Sequence, residues 1–383
     1  MRVANIIEDG RVGGPQVRIL TVAVGLKEQG IDTTVIIPSS DSNDFRARLA
    51  ASLVPSQTMN LTRPGRELRT LAQYVALFPR DLLNLYRHFL EKRYDLVHCS
   101  GGAWQIKGLL AAWCAGIPTL WHLNDTAMPM PIRFVFKLLS GLPTAFIASG
   151  NRVRAYYFGR RALTVPVFKI LPPVDCKRFE KSAISRSALL SDFGINIVLI
   201  ANVNPIKGID VFIRAAAIAT RSSAGRLNFY IVGPIFESQR QYAAELERLV
   251  DASGLSNVHF LGGVSDVRPI LKATDVFVCA SHSEAGPMVL WEAMAMGCAV
   301  VSTDVGDVSS ILRTGESGFV TPPGDHSSMS AAITALANDA GMRESFGLAA
   351  RAIAVRDLSL EQCVQNHLTA YRATLASLSG AAA

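Results

Sequence analysis

Short apolar runs alternate with longer amphipathic stretches along almost the whole chain. In the first half this pattern predicts strands at 3–7, 33–37, 95–99, 119–122 and 145–148, with helices at 16–29, 104–115 and 132–140. In the second half it predicts strands at 197–201, 227–232, 258–261, 276–279 and 299–302, with helices at 209–220, 239–252, 267–273 and 288–297. Three further helices are expected at 327–338, 341–355 and 360–376, before a frayed tail at 378–383. Strands alternating with helices build parallel sheets covered on both faces. Residues 41–93 are less regular. Two helices with apolar faces and basic edges fit best there, with Arg63, Arg66, Arg69, Arg80, Arg87, Lys92 and Arg93 interleaved among Leu68, Leu71, Tyr74, Leu77, Phe78, Leu82, Leu83, Leu85 and Phe89.

A chain of 383 residues is too long for one ordinary core and suits two domains. With 49% hydrophobic and 18% charged residues it belongs with folded proteins, not disordered ones. No uncharged apolar run approaches the roughly 18–20 residues of a membrane span. The opening MRVANIIEDGRVGG lacks the apolar core and cleavage site of a signal peptide, so a cytoplasmic protein is expected. The six cysteines show no CxxC or CxxH spacing; reduced thiols are expected and a structural zinc site is not.

Charge is unevenly spread. Residues 1–180 carry 23 Lys and Arg against 13 Asp and Glu, a net +10, whereas residues 181–383 carry 15 against 18, a net −3. A basic half suits an anionic lipid surface or a phosphate-bearing acceptor. No nucleic-acid-binding motif accompanies it, and nucleic acid is not expected as a partner. The basic stripe within 63–93 fits a bilayer-facing surface, or equally a packed helix pair with a solvated face.

The chemistry concentrates between Cys279 and Asp325. Glu284 and Glu292 stand eight apart across the start of a predicted helix, with Pro287 as its first residue. A helix start at the carboxyl end of a parallel strand offers free N–H groups and a positive dipole end to an anion. Two acids beside such a site can hold hydroxyl groups on either side of a phosphate. Near the N-terminus, strand 3–7 runs into a glycine-rich turn holding Gly10, Gly13 and Gly14. That spacing does not match the dinucleotide G-x-G-x-x-G, which argues against a nicotinamide-dependent dehydrogenase.

Glu284-x7-Glu292, followed by Ala293-Met294-Ala295-x-Gly297, Gly306, Gly315-x-x-Gly318-Phe319 and Pro323-Gly324-Asp325, resembles the retaining glycosyltransferases of family 4. The resemblance implies an α/β GT-B fold, two Rossmann-like doubly wound domains facing each other across a cleft. It implies an acceptor-binding domain over 1–180, a nucleotide-sugar-binding domain over 181–357, and a last helix within 358–383 that crosses back to the first domain. Leu171-Pro172-Pro173-Val174-Asp175-x3-Phe179 is similar to the interdomain passage, with Pro-Pro where Asn-Gly is usual.

The same resemblance assigns roles. Catalytic positions are His122, Glu284 and Lys207, with His98 in a comparable place one strand earlier. Donor-binding positions are Gly13, Gly14, Asn202, Lys207, Gly262, Val264, Glu284, Pro287, Met288, Val289 and Glu292. Glu292 is expected on the ribose hydroxyls and Glu284 on those of the sugar. Lys207, the helix start and the Gly13-Gly14 loop are expected on the diphosphate, and His122 beside the transferred sugar. Two departures matter: Asn202 replaces an arginine, and Gly286 replaces a Phe or Leu. An asparagine can donate to a phosphate oxygen but cannot neutralise it, so Lys207 carries more of the electrostatic work.

The implied activity is retaining transfer of a hexose-type sugar from a nucleoside diphosphate sugar to a glycan or lipid-linked acceptor, in bacterial surface polysaccharide assembly. No Asp-x-Asp is present, and neither a metal nor another cofactor is expected. The expected place is the cytoplasm, with peripheral contact to the inner face of the membrane through the basic half. Two alternatives stay open: a sugar-nucleotide 2-epimerase, and a non-catalytic GT-B protein that binds glycan or nucleotide.

Overall fold

The computed structural model describes residues 1–63, 68–126, 128–159, 165–223 and 225–379. The chain packs as two units, Met1–Pro172 joined by the segment beginning at Leu360, and Pro173–Ser359. Arg66 and residues 380–383 of the expected tail lie outside the described residues.

The first unit is built on seven parallel strands among the described residues: β1 (Arg2–Ile6), β2 (Asp32–Pro38), β3 (Ser56–Met59), β4 (Leu96–Cys99), β5 (Thr119–Leu123), β6 (Ala145–Ala148) and β7 (Val167–Lys169). Their order is β3-β2-β1-β4-β5-β6-β7. The chain winds outward from β1 in one direction and then from β4 in the other, so the order reverses between these neighbours. In doubly wound sheets a ligand crevice opens beyond the carboxyl ends of the strands at such a reversal. The connecting helices are α1 (Gly14–Glu28), α2 (Asn43–Ala51), α3 (Leu68–Lys92), α4 (Ile106–Cys114), α5 (Met130–Leu139) and α6 (Asn151–Phe158).

The expected pair of helices within 41–93 resolves differently. One short helix, α2, is followed by the edge strand β3 and then by the single 25-residue helix α3, which runs through Pro79. Proline removes an intrahelical N–H and ordinarily breaks a helix. Here contacts on both sides of Pro79 hold the helix in one piece. The Nζ of Lys107, on α4, sits 4.2 Å from the ring centre of Tyr74 and 2.8 Å from Asp81 Oδ2. Leu85 and Phe89 then bury fully.

The second unit repeats the plan with six parallel strands among the described residues: β8 (Ile195–Ile200), β9 (Leu227–Val232), β10 (Val258–Gly262), β11 (Val276–Cys279), β12 (Ala299–Thr303) and β13 (Phe319–Thr321). Their order, β10-β9-β8-β11-β12-β13, reverses between β8 and β11. The helices are α7 (Ile209–Ser222), α8 (Arg240–Ala252), α9 (Arg268–Lys272), α10 (Met288–Ala295), α11 (Val308–Ile311), α12 (His326–Asn338) and α13 (Ala340–Ile353). The main core lies where α7 and α12 cover the sheet, around Phe212, Phe229, Val278, Val301 and Ile333.

The last helix, α14 (Leu360–Ser379), belongs to the first unit. Cys363, Val364, Leu368, Ala370 and Tyr371 share a core with Val3, Val22, Leu26, Leu96, Leu120 and Ile147. A side chain at Gly25 of α1 would come within 2.6 Å of Val364 Cγ2, so glycine there sets the close approach of α1 and α14. Among the described residues no helix is long and apolar enough to cross a membrane. None of the six cysteines forms a disulfide.

Candidate active site

In the second unit, the loops after β8 and β11 flank the strand reversal and carry most of the predicted donor residues. The turn Pro205–Lys207 is capped by Asn204, whose side chain accepts from the Ile206 N–H at 3.0 Å. Gly208 follows with φ +62°, and a Cβ on it would lie 2.0 Å from the Ala280 carbonyl oxygen. Only glycine lets this turn press against the end of β11. The His282 N–H donates to the Ile206 carbonyl at 2.8 Å and ties the two loops together.

This brings Lys207 and Glu284 into contact. Lys207 Nζ lies 2.5 Å from Glu284 Oε1, and Ser281 Oγ donates to the same oxygen at 3.0 Å. Ser281 is itself fixed, because Thr303 Oγ1 donates to its carbonyl at 2.6 Å. The side chains of Lys207 and Glu284 keep 25% and 18% exposure, enough to meet a ligand without losing their support.

Pro287 caps α10 rather than opening it, and Met288 is the first helical residue. The first bonds back to the Pro287 carbonyl come from Leu290 and Trp291, at 3.0 and 3.2 Å. The N–H groups of Met288 and Val289 therefore precede the hydrogen-bonded turn, as at any helix start. Glu292 lies a turn further in. Its carboxyl accepts no hydrogen bond among the described residues, and burial pushes its pKa up to about 7, with Arg178 opposing. Such a group is poised between acid and carboxylate near neutral pH.

The remaining donor residues line the carboxyl edge of the same sheet. Asn202 follows β8, half-buried. Gly262 ends β10 with φ +70° and accepts from the Gly233 N–H at 2.8 Å. Val264 packs on the cluster around Val198 and Tyr230.

In the first unit, a cavity of about 390 Å³ opens at the reversal between β1 and β4. Asp9, Arg11, Gly13, Gln16, Trp104 and Gln105 are among its walls. Gly13 caps α1 in extended backbone, and a Cβ on Gly14 would meet nothing within 4 Å. Packing does not demand glycine at position 14; its effect is to leave space before the helix start. Gln105 takes the Glu8 N–H on Oε1, while its buried Nε2 has no partner among the described residues. Glu8 Oε1 accepts from the Lys107 N–H at 3.0 Å, and burial raises the Glu8 carboxyl to about 7.

His122 stands at the carboxyl end of β5, within the core of the first unit. Its ring is fully enclosed and both nitrogens are taken. Nε2 meets Arg18 Nη1 at 2.5 Å and Ser149 Oγ at 3.2 Å, and Nδ1 meets His98 Nε2 at 3.1 Å. A guanidinium only donates, so His122 Nε2 accepts and its proton sits on Nδ1. That proton goes to His98 Nε2, leaving His98 Nδ1 to donate to the Tyr371 hydroxyl at 2.8 Å. Burial and the Arg18 charge hold both histidines well below the ordinary imidazole range. Burial also lowers Arg18 to about 10. The result is a hydrogen-bonded chain inside the core that runs from the Arg18 cation through two neutral histidines, His122 and His98, to Tyr371.

His98, His122 and His367 form a group of three metal-capable side chains with ligand atoms within 4.8 Å of one another. The arrangement does not fit an ion. The His98 and His122 rings are coplanar with centroids 5.3 Å apart, so their lone-pair directions face each other through the hydrogen bond. His367 Nδ1 is bound to the Cys363 carbonyl at 2.8 Å, and the Arg18 cation adjoins the group.

Arg18, Tyr371, Gln105 and Trp104 were not singled out from the sequence. Arg18 and Tyr371 carried one signal, a polar group on the apolar face of a helix; Gln105 and Trp104 had none beyond their nearness to the end of β4.

Family models match both halves: Glycosyltransferase Family 4 over residues 12–178 and Glycosyl transferases group 1 over 194–339. A D-inositol 3-phosphate glycosyltransferase of Actinosynnema mirum is 24% identical over 387 residues, covering 94% of this chain and 92% of the relative. The lipopolysaccharide core biosynthesis mannosyltransferase LpcC of Rhizobium leguminosarum is 25% identical over 272 residues, 70% of this chain and 75% of its own. Among solved structures, HepE of Anabaena in complex with UDP superposes with a TM-score of 0.82 at 21% identity, covering 97% of this chain and all of that one. Sucrose-phosphate synthase from Thermosynechococcus elongatus gives 0.78 at 18% identity, covering 98% and 99%. With matched models on both units and the expected pair of doubly wound sheets, the chain belongs to glycosyltransferase family 4 and has the GT-B fold.

Proposed function

We propose that this glycosyltransferase moves a hexosyl group, with retention at the anomeric carbon, from a nucleoside diphosphate sugar to a glycan or lipid-linked acceptor. The Lys207–Glu284 pair beside the start of α10 carries this reading. When a diphosphate docks, Lys207 exchanges a carboxylate oxygen for a phosphate oxygen, and Glu284 turns to the hydroxyls of the sugar. The Met288 and Val289 N–H groups hold the phosphates, and Glu292 takes the ribose hydroxyls. Asn202 donates to the diphosphate, while Gly262 and Val264 bound the base.

The leaving diphosphate gains charge as the glycosidic bond breaks, and fixed donors aimed at that charge lower the barrier most. In this reading a lysine and a helix dipole supply the stabilisation, without a metal. The leaving phosphate is the base for the acceptor hydroxyl. His122 acts through the buried chain from Arg18 to Tyr371, by fixing the end of β5, and not as a side chain on the sugar.

The cavity at Asp9, Gln16, Trp104 and Gln105 is the proposed acceptor site, with an unpaired amide donor on its wall. HepE has been solved with UDP and with UDP-glucose, which supports a uridine donor here. The relative LpcC, a lipopolysaccharide core biosynthesis mannosyltransferase, supports a role in surface polysaccharide assembly, and the place proposed for it is the cytoplasmic face of the membrane.

The test is a metal-free thermal-shift series with UDP, GDP, ADP, dTDP and NAD on the wild type and Glu292→Ala. A ligand at about 100 times its dissociation constant adds roughly 2.7 kcal/mol. A shift with one nucleoside diphosphate, lost in the variant, supports the donor site. Donor turnover without transfer would favour the epimerase, and binding without turnover the non-catalytic alternative.

A further inference from the structure

The outward face of α5 is apolar and basic. Met130, Phe134 and Leu138, at steps of four along the helix, are 74%, 71% and 72% exposed. Arg133 and Lys137 are exposed on the same helix, which holds no acid. The opposite face is anchored: Phe136 packs against Trp121, Phe146, Tyr157 and Phe158. Three large side chains in one exposed row on a well-anchored helix are not explained by the fold.

Along the chain around them the charge is mostly of one sign, the nearest acid being Asp125, which accepts from the Tyr157 hydroxyl at 2.7 Å. Residues 126–172 contain seven Lys and Arg and not one Asp or Glu. Two of the seven, Arg160 and Arg161, lie outside the described residues. Helix α6, which carries Arg152 and Arg154, lies beside α5 through the Phe136–Tyr157 contact at 4.8 Å. Arg133 lies 5.9 Å from the ring centre of Tyr156, also on α6.

We infer that α5 docks on an anionic bilayer, with Met130, Phe134 and Leu138 entering the boundary between headgroups and acyl chains while Arg133 and Lys137 meet lipid phosphates. Apolar side chains flanked by snorkelling cations are the signature of an interfacial helix. Each cation near an anionic leaflet adds attraction within a Debye length. The face is distinct from the stripe on α3. Leu71, Val75, Leu83 and Leu90 of α3 are 45–64% exposed, and Glu91 lies among its cations. This inference adds the contacting surface to the membrane-facing acceptor proposed above. Its measurement uses neither donor nor acceptor, so the two readings fail separately.

The experiment is flotation of the full chain with vesicles of phosphatidylcholine alone or with one third phosphatidylglycerol. The wild type should float with the anionic vesicles and not the neutral ones. The exposed-face variant Met130→Ser/Phe134→Ser/Leu138→Ser should lose at least roughly tenfold in partitioning, and Arg133→Gln/Lys137→Gln roughly 30-fold, since each charge at the surface contributes about 1 kcal/mol. The α3 control, Val75→Ser/Leu83→Ser, should float as the wild type does. Phe134→Trp should give emission that shifts to the blue on anionic vesicles and becomes shielded from iodide. Wild-type circular dichroism and a wild-type melting temperature without added nucleotide would show that the variants fold. The inference is overturned if the wild type ignores anionic vesicles. It is equally overturned if the α3 variant loses binding while the α5 variant keeps it, or if the α5 row instead holds together a solution oligomer that the serine variant dissolves.

Discussion

Lys207 Nζ and Glu284 Oε1 meet at 2.5 Å, joining two loops that leave neighbouring strands on either side of the sheet reversal. Exposed enough for exchange, the pair contributes at most about 1 kcal/mol to stability. Its value lies in keeping both groups in register. Lys207→Met should therefore leave unfolding by urea almost unchanged yet lower kcat/KM by about 10²–10³-fold, the usual cost of losing one preorganised donor at developing charge. Glu284→Gln should lose activity with a larger share in kcat than in KM. Equal transfer rates in Lys207→Met and the wild type would remove Lys207 from the mechanism.

Glu292 supplies a pH signature. Its folded pKa, about 7, stands above the ordinary 4.5. The folded state thus holds a proton that the unfolded state releases, and stability falls as pH rises from about 4.5 through 7. Glu292→Gln removes that penalty and should raise stability at pH 8 by on the order of 2 kcal/mol, while leaving pH 4 unchanged. Nucleotide binding should suffer in the same variant. In the wild type, a carboxylate accepting two ribose hydroxyls favours the ionised form, so binding near pH 7 should release a proton. Calorimetry in buffers of different ionisation enthalpy measures it.

The histidine chain gives the opposite slope. His98 and His122 are held well below the ordinary range and His367 at about 4, all by burial first. Below about pH 6.5 the unfolded state takes up protons that the folded state refuses, so stability drops on acidification. Arg18→Met removes a buried cation from beside His122 and should raise its pKa. The imidazole nitrogen signals should then titrate at higher pH, and tautomer exchange between Nδ1 and Nε2 should appear where the wild type shows one form.

Lys107 and Asp81 are both fully enclosed, 2.8 Å apart. Removing Asp81 strands the enclosed Lys107 charge, so Asp81→Asn should cost about 3–5 kcal/mol in urea unfolding, whereas Lys107→Met should cost less, because Arg80 still holds Asp81 Oδ1 at 2.7 Å. The Lys107→Met/Asp81→Leu double variant should recover part of that loss. Because Lys107 also opposes the rise in the Glu8 pKa, the single variant should leave Glu8 protonated to higher pH.

The central strands were legible because each buries a mostly apolar run, as in VFVC or AFIA. The edges were not. SQTM, VFK and FVT are short and partly exposed, and their pairing depends on a neighbour rather than on their own pattern. The single helix through Pro79 was hidden for a related reason: what overrides the proline is Lys107, distant in sequence. In the site, Glu284, Glu292 and Lys207 could be read from local motifs that the fold brings to one edge. The burial of His122 could not, since its partners come from α1, β4 and α14, and only their assembly shows that no ring nitrogen is left over.

Helix α14 closes the core that the first strands begin, with Tyr371 and Leu368 lying against side chains from the first third of the chain. A ribosome therefore delivers the missing wall last. The second unit, contiguous from Pro173 to Ser359, can finish folding as it emerges. The first must wait with its apolar stripe uncovered, so during synthesis the half made earlier is the half completed later.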